Sequence, residues 1–248
     1  MKHLYEEIPS QRELLDLWEK DALDTFAAKM KSREKPFPCI PATIGFSSNH
    51  LRYGFVSDPR RKESAAEAAW LLREYTENSR DFGNYTSLIL FYETPRDMKE
   101  GYTVEQFEEL FWQQLNFLND KDVKKWPGHI PESPDNPIWE FCFHGEQYFM
   151  YCGTPAHINR QSRYFDYFML AITPRWVLQE FMKNKTFSAR IKKQVRSRLA
   201  DYDSVPIHPD LNTYGSGDNY EWKQYFLRDD ASAPPQCPFH RFMKARKE

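Results

Sequence analysis

The chain has 248 residues, is 40% hydrophobic and 16% aromatic, and its 34 basic and 36 acidic side chains leave a formal net charge of −2. That length fits one large domain or two small ones. The near-balance of charge excludes a global field for nucleic acid or membrane, and no apolar run approaches the ~20 residues that span a bilayer.

The first twenty residues have no apolar core of the signal-peptide kind, and the four cysteines form no CxxC pair. A reducing, cytoplasmic setting without a disulfide framework is the expectation. Ser10 with Glu13 three places on predicts a capping box. The helix it opens runs to about residue 31, with Leu14, Leu15, Leu17, Trp18, Leu23 and Phe26 on its apolar side. Three prolines in KPFPCIPATIGF predict an extended, buried connection. Residues 51–57 read as a strand, 60–79 as an Ala- and Leu-rich helix, and TSLILFYE (86–93) as a strand apolar enough to sit centrally in a sheet.

Thr103 and Gln106 predict a second capping box, followed by a core stripe of Val104, Phe107, Phe111, Leu115 and Leu118. WPGHIPESPDNP (126–137) is a loop with four prolines. IWEFCFHG and EQYFMYCG form a hairpin about Gly145, and YFMLAI (167–172) is a further strand. Pro174 starts the helix RWVLQEFMK, and SARIKKQVRSRLADY is a basic helix after it. The sum is a single α+β domain over 1–248, a mostly antiparallel sheet with packed helices. Residues 1–35 form its N-terminal helical segment and 203–248 a loop-rich C-terminal segment.

GTPAHINRQSRYF (153–165) places His157, Arg160 and Arg163 three residues apart. A turn there brings them to one face. Histidine ligates iron or zinc, and arginine forks onto carboxylates, so a flat metal cofactor with propionates would use both. The alternative is a turn-capping histidine with solvated or salt-bridged arginines. Cys39 in FPCIP and Cys237 in QCPFH are prolyl-flanked thiols of the kind that can hold haem iron, or else small residues in Pro-rich loops. Cys237 with His240 has half of a zinc-site spacing. Cys142 and Cys152 alternate with aromatics and read as core.

GSGDNYEWKQYFLRDD (215–230) offers Asp218, Glu221, Asp229 and Asp230 to a cationic substrate, or is a solvated loop; it lacks phosphate-loop spacing. Glu140 lies among apolar neighbours on a strand, so it is expected to be paired or functional. With Trp139, Phe141 and Phe143 on one face, Glu140 and Cys142 share the other, which is either a cofactor side or the surface. The stretch from Met182 to Ala200 holds seven Lys or Arg and no acid. It is a solvated helix face or a docking patch for an acidic redox partner. Nucleic-acid binding would need more than this patch.

NPIWEFCFHGEQYFMYCGTPAHINRQSR, with FPCIPATIGFSSNHLRYGF before it and WKQYFLRDD and CPFH after it, resembles the YqcI/YcgG family over residues 37–242. Characterised members of that family are haem-dependent N-oxygenases that hydroxylate guanidine or amine nitrogens of amino acids in natural-product pathways. The resemblance implies haem b and makes His157 the first candidate for the iron ligand, before Cys39 and Cys237. It makes Arg160 and Arg163 propionate partners, with Arg52 and Lys223 as helpers. The implied activity is that of a monooxygenase using dioxygen and an electron donor such as a reductase or ferredoxin. It would act on a small cationic amino acid or guanidine, with Glu140, Asp218 and Glu221 at the substrate. A haem carrier or sensor without turnover is the rival, and a zinc-stapled interaction protein using Cys237, His240 and Cys39 a second one.

Overall fold

In the computed structural model, which describes residues 3–6, 12–212 and 219–239, five strands share one sheet. They are β1 (Arg52–Val56), β2 (Leu88–Tyr92), β3 (Phe141–Phe143), β4 (Glu146–Gly153) and β5 (Met169–Pro174). Their spatial order is β1-β2-β5-β4-β3. β1 runs parallel to β2 and every other pairing is antiparallel. A parallel neighbour needs a crossover, and α3 (Lys62–Asn78) supplies it.

β2 reads as a continuous apolar run because both of its faces are covered. Leu88, Leu90 and Tyr92 join the larger core, with α3 and α5 (Val104–Lys121). Ile89 and Phe91 join a second core, with α1 (Leu17–Lys31). Each such side chain contributes roughly 1.5–3 kcal/mol by leaving water. Gly54 is required on β1: a Cβ there would come within 2.8 Å of both Leu71 and Leu90, so the α3–sheet contact depends on its absence. The hairpin turns at His144 and Gly145, both at positive φ (53° and 80°), the pairing a two-residue primed turn requires.

The Thr103 capping box is present as expected, and its apolar stripe is buried. The first helix differs. Ser10 lies outside the described residues, and the box is made by Asp16 and Glu19, six residues after the expected Ser10 and Glu13. Leu14 and Leu17 precede or begin that helix and are 78% and 86% exposed, so they are not part of its apolar side. The Pro-rich connection also differs. It forms α2 (Ile40–Ser47), with Pro41 in its first turn. A first-turn N–H has no intrahelical acceptor, so proline there costs no hydrogen bond.

The remaining helices are α4 (Arg96–Gly101), α6 (Arg175–Lys183), α7 (Lys185–Tyr202) and α8 (Trp222–Tyr225). α8 belongs to a strap, residues 221–232, that lies against the turn between β4 and β5. At the β1 margin, Tyr5 exchanges two backbone hydrogen bonds with Tyr53 (2.8 and 2.9 Å). No helix among the described residues is long and apolar enough to cross a membrane.

Candidate functional site

β4 ends at Gly153, and the chain turns through 154–165 before β5. The three residues singled out in this turn do converge, and they converge on the strap. His157 is 1% exposed. Its Nδ1 and the Thr154 hydroxyl are 2.8 Å apart, and its Nε2 and the Leu227 carbonyl 2.8 Å. Both bonds form when Nε2 carries the proton. Burial lowers the imidazole pKa to about 4, against the raising effect of Leu227.

Arg160 donates from Nε to the Arg228 carbonyl (2.8 Å), from Nη2 to that of Asp230 (3.1 Å) and from Nη1 to that of Pro206 (3.4 Å). Its charge faces Asp203 at 3.7 Å. Arg163 donates to the carbonyls of Tyr225 and Gln224, both at 3.0 Å, which closes the end of α8. Its guanidinium stacks 4.3 Å from the Tyr151 ring. The strap answers in kind. The Asp229 carboxylate accepts from the backbone N–H groups of Ile158, Asn159 and Arg160 at 2.8, 3.1 and 2.9 Å. Burial opposes its charge, but those three bonds hold its pKa below the ordinary value.

Each donor a haem would call on at this turn is therefore committed to protein. While its nitrogens are bonded to Thr154 and Leu227, His157 has no lone pair free for iron, and guanidinium groups spent on carbonyls do not hold propionates. In this packing the residues of the turn do not fit the cofactor. Cys39 holds the N-cap position of α2, and its thiol lies within electrostatic reach of the Arg163 guanidinium, which opposes the rise that burial gives its pKa. Cys237 is half-buried against the larger core, and burial pushes its thiol up to about 12, away from thiolate. Arg52, on the far margin of the sheet, donates to the carbonyls of Asn49 and Leu51 and stacks over Phe82. The structure does not bring it to the turn. Lys223 lies over the Tyr220 and Trp222 rings. Cys142 and Cys152 are buried core residues, as expected. Asp218 and His240 lie outside the described residues. Among the described residues no group of three or more His, Cys, Asp or Glu is placed to hold a metal ion.

A second cluster lies in the larger core. Residues 139–143 are buried on both faces, so the side shared by Glu140 and Cys142 is not surface. Glu140 meets Arg175, the first residue of α6, whose Nε donates to Oε2 at 2.6 Å. Arg175 Nη2 also donates to both carboxylate oxygens of Glu221 on the strap. The three side chains are 0%, 1% and 2% exposed in the order Glu140, Arg175 and Glu221. Burial raises the Glu221 pKa to about 7, although Arg175 opposes the rise. Two carboxylates named for a substrate cation thus hold a guanidinium of the chain itself. Sequence reasoning missed Arg175. Its signal was the demand of an apolar-flanked Glu140 for a cation, and nothing local named the partner.

A family model described as YqcI/YcgG family matches residues 26–240. The chain is 47% identical over 237 residues to "Uncharacterized protein YqcI" of Bacillus subtilis, covering 96% of this chain and 93% of the other. It is 44% identical over 239 residues to "Uncharacterized protein YcgG" of the same organism, covering 96% and 92%. It is 29% identical over 243 residues to "Putative N(omega)-hydroxy-L-arginine synthase DcsA" of Streptomyces lavendulae, covering 94% and 89%. No solved structure matches. With the family model spanning the sheet, the turn and the strap alike, the chain belongs to the YqcI/YcgG family.

Proposed function

We propose that the protein N-hydroxylates the guanidine or amine nitrogen of a small basic amino acid, arginine-like in the first instance. The observation that carries this reading is the end-to-end similarity to the Streptomyces relative, whose name states that chemistry. In the reaction one oxygen atom of dioxygen enters an N–H bond to give N–OH. The other leaves as water, with two electrons and two protons taken from an outside donor. Dioxygen and a haem, expected from the family resemblance, belong to the proposal as the source of oxidant. The packed turn offers that group no ligand while the strap is seated.

The chain's own contribution centres on Glu221. A guanidinium has no lone pair to offer until a proton leaves, and a base poised near neutral pH takes protons most effectively. Glu221, held at about 7, accepts the proton that the nitrogen gives up as the N–O bond forms. Glu140 and Arg175 position it from the sheet side.

The test uses protein purified from haem-replete cells, incubated aerobically with L-arginine, L-lysine or their decarboxylated amines and a mediated chemical reductant. Mass spectrometry should find one added oxygen on a guanidine or amine nitrogen, and Glu221→Gln should slow its appearance. A panel in which no basic amino acid or amine gains oxygen would overturn the proposal.

A further inference from the structure

Helix α7 is 18 residues long and buries only Ser188 and Ile191. Lys185, Arg190, Lys192, Lys193 and Arg196 are all exposed along it. At 3.6 residues per turn, Lys185, Lys192 and Arg196 fall in one stripe, with Lys193 about 80° and Arg190 about 140° round from it on the same, exposed side. Between Met182 and Ala200 no acid interrupts the run. Among the described residues, no carboxylate lies within ion-pair distance of these five cations, whereas Lys183 on α6 is answered by Glu180. In a chain of net charge −2, this concentrates positive potential on one face.

The face leads to a cavity. Arg198 donates to the Phe37 carbonyl, and Lys35 lies 4.4 Å over the ring of Tyr202, the last residue of α7. Beside them a cavity of about 310 Å³ is lined by Lys29, Ser32, Lys35, Gln161, Tyr164 and Tyr202, among others. Lys29 there already donates to the Gln161 and Tyr164 carbonyls, so Lys35, with the hydroxyl and amide groups beside it, is the cation this lining offers a carboxylate side chain. The same end of α7 adjoins the functional turn. Asp203, which caps the helix, accepts from the Ser162 N–H at 2.6 Å and from its hydroxyl at 2.9 Å.

We propose that the exposed face of α7, with the adjoining lysine cavity, is the docking surface for a small acidic electron-carrier protein. The proposal rests on the N-hydroxylation reading, which requires two electrons from outside the chain. Complementary charge gives such an encounter its rate and orientation, and the C-terminal end of α7 is tied to the 154–163 turn through Asp203 and Ser162. Among these cations the helix places one aromatic ring, Phe187, under Arg190, rather than the series on which successive bases stack, which suits a carboxylate-rich protein surface better than single-stranded nucleic acid.

The experiment compares the full-length protein with a Lys185→Glu, Lys192→Glu, Lys193→Glu variant. These side chains are exposed and make no ion pair among the described residues, so circular dichroism of the two should coincide. The probes are an acidic bacterial flavodoxin, a random-sequence DNA duplex and anionic lipid vesicles, titrated at low and physiological salt. Flavodoxin binding that weakens about tenfold with salt, and about tenfold or more in the variant, is expected. Preference for DNA or vesicles, equal binding by the variant, or no flavodoxin binding would each overturn the proposal. Turnover separates the two readings. A variant that hydroxylates normally with a chemical reductant but slowly with flavodoxin upholds both. Flavodoxin bound at α7 with no amino acid oxidised by either reductant sinks the N-hydroxylation reading and leaves a docking surface of the stated charge.

Discussion

Glu221→Gln should make the stability of the protein depend on pH where the wild type hardly does. Two buried groups titrate in opposite senses across the same window. Glu221 has its pKa raised from 4.5 to about 7. Its stabilisation is full below 4.5 and is lost as pH rises through 7. His157 has its pKa lowered from 6.5 to about 4. Its stabilisation is full above 6.5 and is lost as pH falls toward 4. Integrated between pH 5 and pH 7, each amounts to about 2 kcal/mol, with opposite sign. In the wild type the two nearly cancel. Glutamine at 221 keeps the shape of the side chain and removes its titration, so the histidine contribution is no longer offset by it. Urea unfolding at pH 5, 6 and 7 measures this directly. The variant should lose about 2 kcal/mol on going from pH 7 to pH 5 while the wild type stays within about half of that. Parallel curves for the two proteins would refute the reasoning, because they would mean that Glu221 does not carry the raised pKa that its burial against Arg175 gives it.

Arg163→Ala should cost about 2–4 kcal/mol, since it leaves the Tyr225 and Gln224 carbonyls without their charged donor in a buried setting. Chymotrypsin should then cut first within residues 221–232, and an unchanged cleavage pattern would count against the clamp. Haem added to the purified protein should raise cleavage of that same strap, because His157 Nε2 must leave the Leu227 carbonyl to reach iron. A haem absorbance band that survives in His157→Ala with the strap still protected would place the cofactor elsewhere.

Local chemistry made much of the fold legible. The His144-Gly145 turn, the Thr103 box and the doubly covered β2 each follow from neighbouring residues and lie where the sequence puts them. The α2 helix was not legible, because a proline in a first turn and a proline that ends a strand look alike without their surroundings. The site was half legible. An imidazole and two guanidinium groups at three-residue intervals marked a place that binds carbonyls and carboxylates. Their partners on the strap lie 61–70 positions away in sequence, beyond any local pattern. Glu140 announced that it needed a cation, and only the packing of α6 against β4 and β5 supplied Arg175.

The strap–turn clamp also bears on synthesis. A ribosome releases the sheet strands first, and the strap acceptors for Arg160 and Arg163 emerge only with residues 224–230. Until then the turn stays hydrated and the nascent sheet lacks its closing seam. A polypeptide that stalls before residue 224 would therefore carry an exposed cationic loop, a surface by which quality control could tell an unfinished product from a finished one.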